Sequence, residues 1–166
     1  MGKGTRTGIV AIVMIWLALL AVPASAAELS ELSVDQQIET VRSLNEARRQ
    51  ATVAANVQMS PKTSEAFWPL YRSYRGEVSK INDALKGVIL RYAEQYSDLT
   101  GDEAYELSEE VLDLQVQRDR LKQKYLKRFT KALPALDAAR VMQIENKLDA
   151  LAQLALAADI PLIGAH

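Results

Sequence analysis

The densest chemistry in this chain lies between residues 118 and 131. Arg118, Arg120, Lys122, Lys124, Lys127, Arg128 and Lys131 gather there, interrupted by Asp119. A cationic stretch of this kind attracts acidic groups and speeds their encounter; it makes and breaks no bonds. A second concentration, Phe67, Trp68, Tyr71 and Tyr74, offers aromatic surface either to a core or to a ligand. Groups able to do covalent work are scarce. The chain has no cysteine, which excludes a thiol nucleophile, a thiolate cluster and an iron–sulfur site. His166, the last residue, is the one histidine. A histidine zinc site needs several such ligands, and serine–histidine catalysis needs a positioned imidazole. The glycines are scattered and form no phosphate-cradling loop. Carboxylate pairs occur on heavily charged helix surfaces, where solvated faces account for them. No catalytic residue, no metal site and no cofactor are expected: the residues describe a binding protein rather than an enzyme.

Residues 1–26 bear on where that binding takes place. Lys3 and Arg6 precede fourteen consecutive apolar residues, Ile9 to Val22; Pro23 ends the run, and Ala24-Ser25-Ala26 provides the small residues of a cleavage site. This is the layout of a secretory signal peptide. An uncleaved anchor is the alternative, but fourteen residues span only about 21 Å as a helix, short of the roughly 30 Å hydrocarbon core. The expectation is cleavage near Ala26, a periplasmic location, no stable membrane insertion afterwards, and a single helical domain over 27–166. Removing Lys3 and Arg6 from the 20 basic residues leaves 18 against 21 acidic ones. That balance, with export, argues against a nucleic-acid partner. Without cysteines, stability must come from packing.

The elements that position these groups read as four helices. The first covers about 34–57, with Ser33 as cap and Gln36 at the capping-box position. The second covers about 61–97; Ser60 caps it and Pro61 takes the first helical position, where its missing N–H costs nothing. Its apolar series Phe67, Tyr71, Tyr74, Val78, Ile81, Leu85, Val88, Tyr92 alternates spacings of four and three, a heptad seam. Pro69 within it predicts a kink. The third helix opens on Leu99-Thr100-Gly101-Asp102-Glu103, where Thr100 and Glu103 form a capping box. Its series Leu107, Val111, Leu114, Arg118, Leu121, Tyr125, Arg128 keeps the same alternation. A connection of a few residues forces the second and third helices into a long antiparallel hairpin. The fourth, about 135–158, has so wide an apolar arc that it is expected to be well buried. The apolar tail Ile160-Pro161-Leu162-Ile163 is expected to dock on the body or on a second subunit. The fold class is therefore all-α.

Two readings stand for each concentration of chemistry. Phe67, Trp68, Tyr71 and Tyr74 either fill the core beside Pro69 or form an aromatic patch. The basic block either complements the helix dipole or forms a binding surface. The dipole acts over the first and last turn, whereas the block covers about four turns.

Three helix starts share a device: Leu32-Ser33-x-x-Gln36, Met59-Ser60-Pro61 and Leu99-Thr100-x-x-Glu103. It resembles the Leu-Thr-x-x-Gln motif of the Spy/CpxP family of periplasmic stress proteins. The segments Phe67-Trp68-Pro69-Leu70-Tyr71 and Gln143-Ile144-Glu145-Asn146-Lys147-Leu148-Asp149, with the basic block, resemble an uncharacterised proteobacterial branch related to it. The resemblance covers about 33–163. It implies a cradle-shaped homodimer that acts as an ATP-independent chaperone for unfolding envelope proteins, or as a brake on the periplasmic domain of an envelope-stress sensor kinase. On the chaperone reading, Arg118, Lys122, Lys124, Lys127 and Arg128 supply the charge and Phe67, Trp68 and Tyr71 the apolar surface for clients. Leu133-Pro134-Ala135-Leu136-Asp137 departs from the motif, and the histidines of zinc-responsive relatives are absent. A membrane-peripheral protein held on anionic lipid by its basic stretch is a third class of reading.

Overall fold

Residues 34–160 and 162–163 are described by a computed structural model. Residues 1–33, with the expected signal, Leu32 and the Ser33 cap, lie outside them, as does His166. The described residues form four α-helices and no strand: α1 Val34–Asn56, α2 Pro61–Gln95, α3 Gly101–Phe129 and α4 Ala135–Asp159.

Caps set the starts. Ser60 is extended (φ −66°, ψ 161°), and its hydroxyl accepts from the Thr63 N–H at 3.2 Å. Pro61 follows, its fixed φ already helical. At α3 the box is complete: Glu103 N–H donates to Thr100 Oγ1 at 3.3 Å and Thr100 N–H to Glu103 Oε2 at 2.9 Å. Two N–H groups that have no partner inside the helix are thereby satisfied. α2 runs through Pro69 as one helix, with the Ser73 hydroxyl donating to the Pro69 carbonyl at 3.0 Å.

The chain divides into two compact units. One takes in residues 56–144 with 162 and 163; the other takes in the described residues up to 55 together with 145–160. α2 and α3 pack together in the first unit. Phe67 meets Phe129, Glu77 meets Lys124, Asn82 meets Arg118 and Arg91 meets Glu110. Numbers rise along α2 as they fall along α3, so the two helices run antiparallel.

The seam between them is aromatic at one end. Phe67, Tyr71, Tyr74, Tyr125 and Phe129 are at most 2% exposed. Their rings lie in tilted or edge-on pairs, such as Phe67–Phe129 at 5.2 Å and Tyr74–Phe129 at 5.9 Å and 83°. Such geometries contribute about 0.5–1.5 kcal/mol each beyond area burial, because a ring edge meets a ring face of opposite charge. Val78, Ile81 and Val88 of α2 and Leu114 and Leu121 of α3 continue the seam. Phe67 and Tyr71 therefore belong to the core, which removes them as a surface for clients. Trp68 is half-buried, edge-on to both.

Two expectations change. The α3 seam ends on Phe129, not Arg128. The last steps, Leu121, Tyr125, Phe129, are four residues each, which turns the more apolar side chain inward and leaves Arg128 exposed. α4 is not buried along its whole apolar arc. Ala138, Val141 and Met142 are buried, and the same face continues through Glu145 and Asp149, whereas Leu136, Leu151 and Leu154 are 71%, 55% and 70% exposed. The reason lies in the second unit, where the α1 residue Arg49 donates to Glu145 at 3.1 Å and Asp149 at 3.0 Å. At spacing four these carboxylates share one helix face, and a buried carboxylate needs such partners. Leu162 and Ile163 of the tail are exposed; the Leu162 carbonyl accepts from the Tyr96 hydroxyl at 3.4 Å.

Candidate interaction surface

The cationic block divides into residues turned toward α2 and residues turned toward solvent. Arg118 takes a seam position and donates to Asn82 Oδ1 at 2.7 Å. A cation is tolerated at this position because its head group reaches a polar partner at the rim of the seam. Lys124 reaches Glu77 at 2.7 Å and lies 5.3 Å from the Tyr125 ring; the Arg128 guanidinium lies 5.0 Å from the same ring. Tyr125 completes the cluster by donating its hydroxyl to Glu77 Oε1 at 2.6 Å.

The titrations follow from these bonds. Hydrogen bonds from Lys124 and then Tyr125 hold the Glu77 carboxyl below its ordinary range. Burial, then the bond to Glu77, pushes the Tyr125 hydroxyl up. At the other end of α3, the Thr100 hydroxyl and N–H hold the Glu103 carboxyl down.

Arg120, Lys127 and Lys131 are exposed, and Lys122 is half-buried. The structure thus brings Lys124 and Arg128 together over Tyr125 and leaves Arg118 in a separate polar contact. Lys127 points away from the seam. Among the capping residues, Leu99 is half-buried beside the Thr100–Glu103 box, and Gln36 lies in α1.

The sequence reading missed a further element. On the side of α3 opposite Leu114, Leu121 and Tyr125, three apolar residues face solvent: Tyr105, Leu112 and Val116, at 68%, 60% and 45% exposure. At about 100° per residue their spacings of seven and four put them on one line. Exposed Arg120 and Lys127 continue that side toward the helix C-terminus. The signal was present as a second apolar phase offset from the main seam, overshadowed by the longer inner series. The ion group of Arg49, Glu145 and Asp149 was missed as well, although the last two stand at spacing four in the sequence.

Among the described residues no group of three or more histidine, cysteine, aspartate or glutamate side chains is arranged to hold a metal ion, and no helix is long and apolar enough to cross a membrane. Tyr105 and Leu112 lie among exposed Glu106, Glu109 and Asp113, and Val116 stands one turn before exposed Arg120, so this apolar line can take up apolar segments while only its C-terminal end attracts acidic ones. Comparisons with family models, with curated proteins and with solved structures give no match to this chain.

Proposed function

We propose that this protein is a periplasmic, ATP-independent chaperone that holds unfolding envelope proteins, in the manner of the Spy/CpxP-like proteins its capping motifs resemble. The observation that carries the reading is the solvent-facing side of α3, where the exposed line Tyr105, Leu112 and Val116 leads into exposed Arg120, Lys124 and Lys127 toward the helix C-terminus. An unfolded client offers both apolar stretches and carboxylates. The cations raise the rate of encounter, and the apolar residues slow release. Lys122, Lys127 and Arg128 remain client contacts on this reading, and Arg118 lies at their edge. Phe67 and Tyr71 support the helix that presents the surface. The sequence of residues 1–26, laid out like a secretory signal, supports the periplasmic part of this reading.

The test is light scattering of an unfolding client with the protein at near-stoichiometric ratio and no ATP. Suppression that weakens in Leu112→Ser/Val116→Ser, and slower capture in Arg120→Glu/Lys127→Glu, is the expected result. No suppression across several clients at low salt rejects the proposal. A single dominant partner recovered from envelope extract, without suppression, would favour the sensor-kinase role instead.

A further inference from the structure

α2 and α3 run antiparallel, yet their charges are sorted by end. Residues 61–80 of α2 and 118–131 at and just past the end of α3 hold eleven basic and three acidic side chains. Residues 81–117, which complete both helices and their connection, hold two basic and nine acidic ones. The sign changes near the contact of Asn82 with Arg118. Dipole complementarity explains α3, whose first turn holds Asp102 and Glu103 and whose last turn holds Lys127 and Arg128. It does not explain α2. That helix begins where α3 ends, so its dipole favours acids at the basic end and bases at the acidic end. Its first turn has no acid and its last turn no base. Lys62, Arg72, Arg75 and Lys80 lie instead in its N-terminal half. Nor does stability explain the sorting, because opposite charges spread along the pair would attract one another. Gathering one sign at one end costs folding free energy through self-repulsion, and it creates a field that acts on something outside the protein.

We propose that this basic end of the α2–α3 pair docks on a membrane of anionic phospholipid, with the acidic end directed away from it. Arg120, Lys124, Lys127, Arg128 and Lys131 are exposed, as are Lys62, Arg72 and Lys80 of α2. From Arg120 to Lys131 the helical rise covers about 16 Å, which suits a surface bearing many phosphates rather than one bound ion. Leu136 decides between a bilayer and a soluble polyanion. It lies in the first turn of α4, just past the last cation, and is 71% exposed. An apolar side chain beside cations gains from the acyl boundary of a bilayer and gains nothing from a polyphosphate. Asp137 next to it is engaged by Arg140 at 2.9 Å. The acidic end does not cancel the attraction. Asp102 lies about 44 Å along α3 from Lys131, several screening lengths of about 10 Å at 0.1 M salt. Docked in this way, the protein keeps Tyr105 and Leu112, in the acidic half of α3, clear of the lipid.

Flotation of the full chain with vesicles tests the docking. Residues 1–26 are common to every variant, so the variants isolate what the helix pair contributes. Vesicles of phosphatidylglycerol with phosphatidylcholine should recover the protein, and vesicles of phosphatidylcholine alone should not. Partitioning should fall more than about tenfold between 0.1 M and 1 M salt, as the screening length drops to about 3 Å. Lys127→Gln/Lys131→Gln should lower partitioning about tenfold or more. Ser97→Glu/Ser108→Glu, which changes net charge by the same amount at the acidic end, should leave it within about twofold. Leu136→Ser should weaken vesicle recovery several-fold and leave retention on immobilised polyphosphate unchanged. In the cysteine-free chain, a polarity-sensitive dye on Ala135→Cys should shift to the blue with anionic vesicles, and the same dye on Ser97→Cys should not. Equal recovery by both kinds of vesicle, equal losses in the two charge variants, or a dye shift at Ser97→Cys as large as at Ala135→Cys overturns the proposal. A Leu136→Ser chain that floats like the parent makes a soluble polyanion the partner and overturns it too. Flotation is read without a client and client suppression without vesicles, so this proposal and the chaperone reading fail separately.

Discussion

The two compact units of this chain are held by different physics. In the unit formed around α2 and α3, the interior is a row of interlocking rings and aliphatic side chains; Glu77 with Lys124 and Arg118 with Asn82 sit at the rim, and the one charged side chain buried among its described residues, Arg75, stands over the Tyr74 ring at 5.8 Å. In the unit formed by α1 and the second half of α4, polar groups lie within. Arg49 binds Glu145 and Asp149, whose side chains are 0% and 8% exposed. The first arrangement stabilises by removing apolar area from water, and tolerates error because that force has no direction. The second depends on geometry, since each charge is costly to bury unless its partner is in place. The lesson is about substitution. A ring can be trimmed for the cost of a cavity, whereas an ion group fails with the loss of one member and can be replaced only as a whole.

Several experiments break or sharpen that contrast. The largest effect is expected at Phe129, which touches four other rings of the seam. Phe129→Ala should lower stability by about 3–5 kcal/mol, read from the urea midpoint. Arg49→Met should cost nearly as much, about 3 kcal/mol or more, because it deprives two buried carboxylates of their shared cation. The triple change Arg49→Met/Glu145→Leu/Asp149→Leu should recover most of that loss. A triple variant as unstable as the single one would show that the group acts through shape rather than charge.

Smaller effects belong to the ends of α3. Thr100→Ala removes the capping hydroxyl and should cost about 1 kcal/mol. Acid should expose the remaining term. Glu103 and Glu77 both hold their protons less readily in the folded chain than in the unfolded one, through Thr100 and through Lys124 with Tyr125 respectively. The unfolded state therefore binds more protons as pH falls through the carboxylate range. The stability these groups contribute is present at neutral pH and above the ordinary carboxyl pKa, and it drains away below it. In Glu103→Gln and Glu77→Gln the fall in urea midpoint between pH 6 and pH 3 should be shallower than in the parent. An unchanged slope in both would remove these two carboxylates from the acid response. Both lie near solvent, so each change is expected to be slight.

Much of the fold could be read before the coordinates. Helix ends depend on groups within four residues of one another, and Ser60-Pro61 and Thr100–Glu103 do in three dimensions what their spacing predicts. The α2 seam follows from its alternation of four and three, and six of its eight members are buried. The candidate surface was only half legible. A run of cations is visible in any sequence, but its division between Glu77, Asn82 and solvent depends on the facing helix. Tyr105, Leu112 and Val116 were hidden because a helix with apolar residues on two sides gives no local sign of which side its neighbour covers.

Sequence alone therefore determined the four helices of the described residues, the starts of α2 and α3 and the inward line of α2, because hydrogen bonding at a cap and the period of the helix act over one or two turns. Tertiary structure decided the rest. It chose Phe129 over Arg128 at the end of the α3 seam and turned Glu145 and Asp149 inward while leaving Leu151 and Leu154 outside. It also brought Arg49 to a carboxylate 96 residues away. Those outcomes compare alternative faces of helices that are each locally adequate. The free energies that separate them arise only when a second element covers one face and excludes water from it.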